Sequence, residues 1–379
     1  MHETTAAIDL RAARASRAAR SAATASPAPA IGAIGCALPP HRYASETLSE
    51  ALWDAWGSDD AERARYARLH RAVGVRHRHL ALPMEDYGAL RSFGAANAAW
   101  LDRATALGIE AVSTALARAG LSPADVDHLF FTTVTGIAAP TVDVRLVNRL
   151  GMRADTKRTP LFGLGCVGGA AGLARAADYL RGFPGHVAVL LSVELCSLTL
   201  QLADRSTANV IASGLFGDGA AAVVLTGGAR AGAAGAPRVI ASRAIFFHDT
   251  EEVMGWRIAD SGFQVVLSPT IPTLVRTELR SGVDAFLAEH GLARGDVRHW
   301  IAHTGGPKVL LAMESALELP RDALARSWSS LAQVGNLSSA SVLFVAADLF
   351  EAGVARPGDV GVLLSMGPGF CGELVLVRW

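Results

Sequence analysis

The 379-residue sequence predicts an α/β fold built from two duplicated halves, and three observations lead to it. The first is an internal repeat, the signal to seek before any element is assigned. Gly120-Leu-Ser-Pro-Ala-Asp125-Val126-Asp-His128 returns as Gly291-Leu-Ala-Arg-Gly-Asp296-Val297-Arg-His299. Each copy follows a helical run (112–119 and 283–290) and precedes an apolar, strand-like segment, LFFTTVTG and WIAHTGG. The second observation continues the first at nearly the same offset. Gly165-Cys166-Val-Gly-Gly-Ala170 meets Gly335-Asn336-Leu-Ser-Ser-Ala340, and Ala176-Ala177-Asp178 falls over Ala346-Ala347-Asp348. The third is length: beyond about 250–300 residues one hydrophobic core stops growing, so two fused halves are expected.

Taken in order, the chain begins with a tail at 1–30 rich in Ala, Ser and Thr, its arginines (Arg11, Arg14, Arg17, Arg20) at every third position. It has no apolar core of the kind a secretory signal carries, and is expected to be a disordered or frayed extension. The first folded half is expected at 31–240. It opens with IGAIGCALPP at 31–40, a short strand stopped by Pro-Pro. A charged helical stretch follows at 45–73, on which Arg65, Arg68 and Arg71 share one face. By itself such a stripe reads as a solvated helix face. The run 161–179, LFGLGCVGGAAGLARAADY, then turns from strand-like residues through a glycine-flanked cysteine into a small-residue helix. The second half, 241–379, repeats the plan.

Cys166 sits where the first unpaired N–H groups of the following helix favour a thiolate. A free cysteine is ordinarily a buried small hydrophobe; the surrounding Gly163, Gly165, Gly168 and Gly169 argue for a turn that a substrate can approach. Duplication adds chemistry, because two related halves packed about an approximate twofold bring equivalent turns to a shared centre. One turn supplies Cys166 and the other Asn336, while His303 lies at the repeat position of Thr132. Such a set suits thioester chemistry, with His303 stabilising a Cys166 thiolate, and His303 and Asn336 donating to an oxyanion or an enolate. Cys196 follows an apolar run without the glycine setting; Asp218 and Glu194 read as structural. His77 with His79, or His299 with His303, lack the further ligands of a zinc site, so no metal and no cofactor are expected.

Apolar residues make up 51% of the chain and charged ones 18%, with a formal net charge of zero. No electrostatic footprint for nucleic acid or an anionic membrane follows from that balance. No apolar run reaches the length of a membrane span. Four cysteines in so long a chain do not make a disulfide framework, and a reducing cytoplasm is the expected setting.

At these residues the chain resembles the thiolase-fold condensing enzymes, and within them the type III polyketide synthases, the chalcone-synthase-like group. The resemblance runs over about 31–379 and rests on GLGCVGG around Cys166, LFGDGAAAVV at 215–224, HTGGP at 303–307, GNLSSAS at 335–341 and MGPGF at 366–370. It implies a homodimer of five-layer αβαβα protomers that loads an acyl-CoA starter on a cysteine and extends it with malonyl-CoA by decarboxylative Claisen condensation. Carried over by motif, Cys166 is the nucleophile, His303 and Asn336 hold the thioester carbonyl, and Phe216 is the gate between a CoA tunnel and a cavity. Arg65 and Arg68 fall at phosphate-binding positions, and Arg71 lies one residue from a third. Gly305, Gly306 and Pro307 would pass the pantetheine arm, and Gly367, Pro368 and Gly369 would shape the cavity wall.

Departures from the plant pattern bear on substrate. Ala139 stands where plant enzymes place a methionine that reaches into the partner's site, Val265 near a second cavity phenylalanine, and Thr199 at a position that sets cavity depth. These small or aliphatic residues are expected to shape a tunnel for an alkyl chain. The runs SVELCSLTLQ and LFGDGAAAVVL are similar to bacterial synthases that take fatty acyl starters and release alkylpyrones or alkylresorcinols, and that branch is the expectation. Its alternative is a tetrahydroxynaphthalene synthase that uses malonyl-CoA as starter and extender; those enzymes carry cysteines where this chain has Val134 and Thr199. Outside the family stand a carrier-protein-dependent ketoacyl synthase and a non-catalytic acyl-CoA-binding protein. The HTGGP sequence argues against the first and the intact Cys-His-Asn set against the second.

Overall fold

The computed structural model describes residues 27–230, 235–320 and 322–379. The expected tail at 1–30 therefore lies, except for its last four residues, outside the described residues. The first half contains β1 (Ala30–Ala37), β2 (His41–Ala44), α1 (Ser45–Ala55), α2 (Asp60–Ala72), β3 (His77–Leu80) and α3 (Phe93–Arg118). It continues through β4 (His128–Thr133), α4 (Val142–Leu150), β5 (Lys157–Phe162), α5 (Gly168–Gly182), β6 (Val187–Leu195), α6 (Thr207–Leu215) and β7 (Asp218–Thr226). The second half holds β8 (Arg238–Phe246), β9 (Met254–Ala259), β10 (Gly262–Leu267), α7 (Ile271–Ala288) and β11 (Val297–Ala302). It ends with α8 (Pro307–Leu317), α9 (Ala325–Val334), α10 (Ser341–Ala352), β12 (Val360–Gly367) and β13 (Cys371–Arg378).

Nine strands form one mixed sheet in the order β11-β12-β13-β8-β1-β7-β6-β4-β5. The halves meet at the β1–β8 seam, which is paired at Ala30 and Arg238. The repeat read from the sequence is present in the backbone. Short helical turns at Pro123–Asp125 and Arg294–Asp296 precede β4 and β11. In each, the aspartate accepts from the backbone N–H three residues earlier, at 2.9 Å for Ser122 and 2.7 Å for Ala293. β4 runs parallel to β6 as β11 runs parallel to β12.

The strand sequences explain the layering. β6 (VAVLLSVEL) and β7 (DGAAAVVLT) are buried along their whole length, as expected of strands covered on both faces. Alternate residues then serve different cores. Val189, Leu191, Ala222 and Val224 pack under α3 with Trp100, Ala104 and Ala111. Leu190, Val223 and Leu225 face the other way, onto α5 and α10. That central helical layer is covered on its far side by Leu363, Val375 and Val377 of the second half. Beyond them Leu364, Leu374 and Leu376 pack beneath α7 and α8. The result is helix, sheet, helix, sheet, helix, the five-layer thiolase-like architecture.

Helix α5 owes its place to small side chains. Ala170, Ala171, Ala174, Ala176 and Ala177 are buried, favour the helix intrinsically, and let the two halves of the sheet and a second helix close around it. At Gly169 an added Cβ would stand 2.1 Å from the Ser339 carbonyl oxygen, so only glycine lets the two turns touch. We predict that Gly169→Val lowers the urea midpoint by an amount equivalent to about 3 kcal/mol or more, with an unchanged denaturant slope. A loss below about 1 kcal/mol would show that the turns tolerate separation.

Candidate active site

Cys166 occupies the single helical turn Gly165–Val167 that leads into α5. The turn is sharp because Gly165 is left-handed (φ 52°), and its bare Cα also admits Pro368, whose Cδ would be 2.5 Å from a Cβ there. Cys166 is buried, and its thiol donates to Ser338 Oγ at 3.7 Å. Asn336 lies on the matching turn before α10 and is stitched into the α6–β7 connection. Its N–H donates to the Leu215 carbonyl at 2.9 Å, and its own carbonyl accepts from Gly217 N–H at 3.0 Å. Its Oδ1 accepts from Ser338 N–H at 2.8 Å and from Ser341 Oγ at 3.3 Å. The oxygen being held within the turn, the amide NH2 is the end left to act on the cavity. His303 follows β11, and its N–H donates to the Leu364 carbonyl at 2.8 Å. Its ring Nδ1 is enclosed and has no hydrogen-bond partner among the described residues.

The three side chains line one cavity of about 50 Å³, with Val134, Phe216, Val265 and Pro368 in its walls. Burial governs their charge. It pushes the Cys166 thiol up to about 12, against hydrogen bonds from Ser338 and Asn336, and the Glu194 carboxyl raises it further. Burial pulls the His303 imidazole down to about 3. Burial therefore favours the neutral thiol and the neutral imidazole. It opposes the helix N-terminus, which favours the thiolate, because the charged form loses its solvation there.

The remaining expected residues divide by position. Gly305 lines the Cys166 cavity, Gly306 stands at φ 114° just before α8, and Pro307 opens that helix. Arg65, Arg68 and Arg71 are exposed on α2. Arg65 donates to Thr207 Oγ1 at 2.8 Å, and Arg68 and Arg71 have no carboxylate partner among the described residues. The end of that helix approaches the glycine loop, a Cβ on Gly74 falling 3.5 Å from Pro307. Gly367 and Gly369 are not in the cavity wall; Gly367 instead backs the cysteine turn, a Cβ there meeting Val167 N at 2.6 Å. Ala139 is exposed on the loop after β4 and lies outside the cavity lining. Thr199 is buried, donates to the Cys196 carbonyl at 2.8 Å, and lines a neighbouring chamber.

That chamber, of about 200 Å³, shares Cys196, Phe216, Trp256 and Val265 with the first. Cys196 belongs to both walls, a place the sequence reading had not assigned to it. Trp256 and Met254 were missed also. Alternation along β9 and β10 shows which residues share a face but not that the ribbon closes a cavity. Glu194 and Asp218 are structural as expected. Glu194 accepts from Val134 N–H at 3.1 Å and Thr135 Oγ1 at 2.9 Å, and Asp218 from Ala81 N–H at 2.7 Å and Ser197 N–H at 2.8 Å.

Comparison with known proteins places this geometry. Residues 15–229 match the family model for the chalcone and stilbene synthase N-terminal domain, and residues 238–379 match that for the C-terminal domain. The chain is 58% identical over 344 residues, 90% of its length and 91% of the relative's, to a 1,3,6,8-tetrahydroxynaphthalene synthase of Streptomyces peucetius subsp. caesius. It is 34% identical over 355 residues, 91% of its length and 97% of the relative's, to a putative chalcone synthase of Bacillus subtilis. The crystal structure of the 1,3,6,8-tetrahydroxynaphthalene synthase of Streptomyces coelicolor is 28% identical and superposes with a TM-score of 0.87, covering 92% of this chain and 99% of that one.

The protein is therefore an acyltransferase of the decarboxylative condensing class. Within that class it belongs to the chalcone and stilbene synthase family, the type III polyketide synthases. The relatives back the tetrahydroxynaphthalene alternative better than the fatty acyl branch. Of the runs that favoured the latter, LFGDGAAAVVL is largely β7, whose side chains fill the two cores and record packing more than cavity shape. SVELCSLTLQ leaves β6 at Leu195, and its Cys196, Ser197, Thr199 and Leu200 line the second chamber.

Since a neutral resting thiol gains thiolate steadily as pH rises toward its raised pKa, alkylation of Cys166 by iodoacetamide should accelerate about tenfold per pH unit from pH 6 to pH 9. Mass-spectrometric counting of the modified peptide reads this rate. A plateau already established below pH 8 would show a stabilised thiolate instead.

Proposed function

We propose that the protein condenses malonyl-CoA alone, as starter and as extender, and closes the chain to a tetrahydroxynaphthalene-type aromatic. The observation that carries this reading is 58% identity to a 1,3,6,8-tetrahydroxynaphthalene synthase along 90% of the chain. On this reading His303 takes the Cys166 proton as the sulfur attacks the malonyl thioester carbonyl. The tetrahedral intermediate collapses to malonyl-Cys166, and CoA leaves as its thiol. A second malonyl-CoA then places its thioester carbonyl between His303 and the Asn336 amide. Its carboxylate departs as carbon dioxide, and the enolate oxygen is held by those two N–H donors in a dry site, where they act most strongly. The enolate carbon attacks the acyl-Cys166 carbonyl, the C–S bond breaks, and the lengthened chain is carried on CoA.

The CoA phosphates are assigned to Arg65, Arg68 and Arg71, and the pantetheine arm to the passage beside Gly305, Gly306 and Pro307. Gly305 lies in the wall that also carries His303. The working unit is taken to be a homodimer, as the family resemblance implies.

Malonyl-CoA given as the only acyl donor should yield an aromatic product whose every carbon derives from malonyl, identified by mass after isotopic labelling. Absolute dependence on an added fatty acyl-CoA would return the assignment to the alkylpyrone branch. Cys166→Ala should lose product formation by at least about a thousandfold with its unfolding midpoint unchanged. Multi-step product from that variant would remove Cys166 as nucleophile.

A further inference from the structure

The Cys166 cavity, of about 50 Å³, is the smaller of two adjoining chambers. Past Cys196, Phe216, Trp256 and Val265, which line both, lies the chamber of about 200 Å³, and it offers a growing chain room. Its lining includes the apolar Leu48, Ala51, Leu52 and Met84. Arg78, Tyr87 and Ser197 line it too.

Arg78 is only 6% exposed. Its Nη1 donates to the Ser213 carbonyl and, at 3.3 Å, to the Phe216 carbonyl. Nε is enclosed without a partner, and Nη2 makes no hydrogen bond among the described residues. The nearby carboxylate, Asp218, does not bond it. Asp218 Oδ1 accepts from Ser197 N–H at 2.8 Å, and Oδ2 accepts from Ala81 N–H at 2.7 Å and from the Ser197 hydroxyl. Tyr87 OH is hydrogen-bonded to Ser197 Oγ. A guanidinium out of water with donors unspent is costly unless an anion or strong acceptor meets it. Here those donors belong to a wall residue of a cavity that adjoins the reacting cysteine.

We propose that the second chamber is a subsite for acyl thioesters ending in a carboxylate, and that Arg78 recognises that carboxylate. The inference rests on the malonyl-only reading and deepens it, since a malonyl starter differs from an acetyl one by that group. Arg78 also ties the site together, because the backbone carbonyl it holds is that of Phe216, whose ring divides the chambers.

The test compares glutaryl-CoA with pentanoyl-CoA, starters of equal length with and without the terminal carboxylate, each extended with malonyl-CoA. The wild-type protein should prefer glutaryl-CoA at least tenfold in kcat/KM. Arg78→Gln should abolish that preference, lowering glutaryl-primed kcat/KM at least tenfold more than pentanoyl-primed kcat/KM, and Arg78→Lys should keep part of it. Equal use of the two starters by the wild-type protein would overturn the proposal even if the Gln variant fails to fold. An equal fall for both starters in a folded Arg78→Gln protein would also overturn it, leaving Arg78 as a support for the Ser213 and Phe216 carbonyls. Failure of the malonyl-only reading is separately visible as absence of product from malonyl-CoA alone, and it leaves the glutaryl comparison readable.

Discussion

The site depends on how closely the turn at 165–169 approaches the turn at 336–340. Every side chain larger than hydrogen at Gly169 would strike the Ser339 carbonyl, and a Cβ on Gly168 would stand 2.7 Å from Thr132 Oγ1. The hydroxyls of the second turn use the space this leaves. Ser339 Oγ lies 2.7 Å from Ser192 Oγ and also donates to Glu194. Glu194 in turn collects Val134 N–H and the Thr135 hydroxyl. Burial pushes its carboxyl up to about 6, against those donors, so the cluster is a buried polar network with its members satisfied. It fixes the second half's turn against the first half's sheet. Asn336 and Cys166 are neighbours as a consequence.

Low polarity around the site has two effects that pull in opposite directions. It disfavours charge on the thiol and the imidazole, and it strengthens any hydrogen bond offered to an anion that forms during reaction. A neutral His303 and the Asn336 amide are suited to the second role, because each presents an N–H without carrying a charge that would need solvation. On the proposed mechanism the protein invests its electrostatics in the enolate rather than in a standing thiolate.

Much of the fold was legible, for a physical reason. A duplicated unit writes its signal twice, and the Asp125 and Asp296 turns preserve it because each aspartate must satisfy a backbone N–H before a buried strand begins. Cys166, His303 and Asn336 were readable because glycine and small residues around them have no other purpose than close approach. The cavity was not. Its walls come from β9, β10, α1 and α6, brought together by packing, and alternation within β10 does not say that Val265 ends beside Cys196. Nor does local sequence show that Arg78, on a four-residue strand rich in charge, is buried with donors unspent. The opposing pull of burial on the Cys166 thiol was hidden for the same reason: a helix terminus is local, desolvation is a property of the whole fold.

On the proposed mechanism the two halves divide the chemistry, the first supplying the nucleophile and the second the enolate-stabilising donors. Carbon dioxide release from malonyl-CoA in single variants tests it directly. Cys166→Ala should still decarboxylate malonyl-CoA while forming no condensation product, whereas His303→Gln and Asn336→Asp should lose decarboxylation by at least about a hundredfold. Decarboxylation that vanishes with Cys166 and persists without Asn336 would show that the chemistry is not divided between the halves in this way.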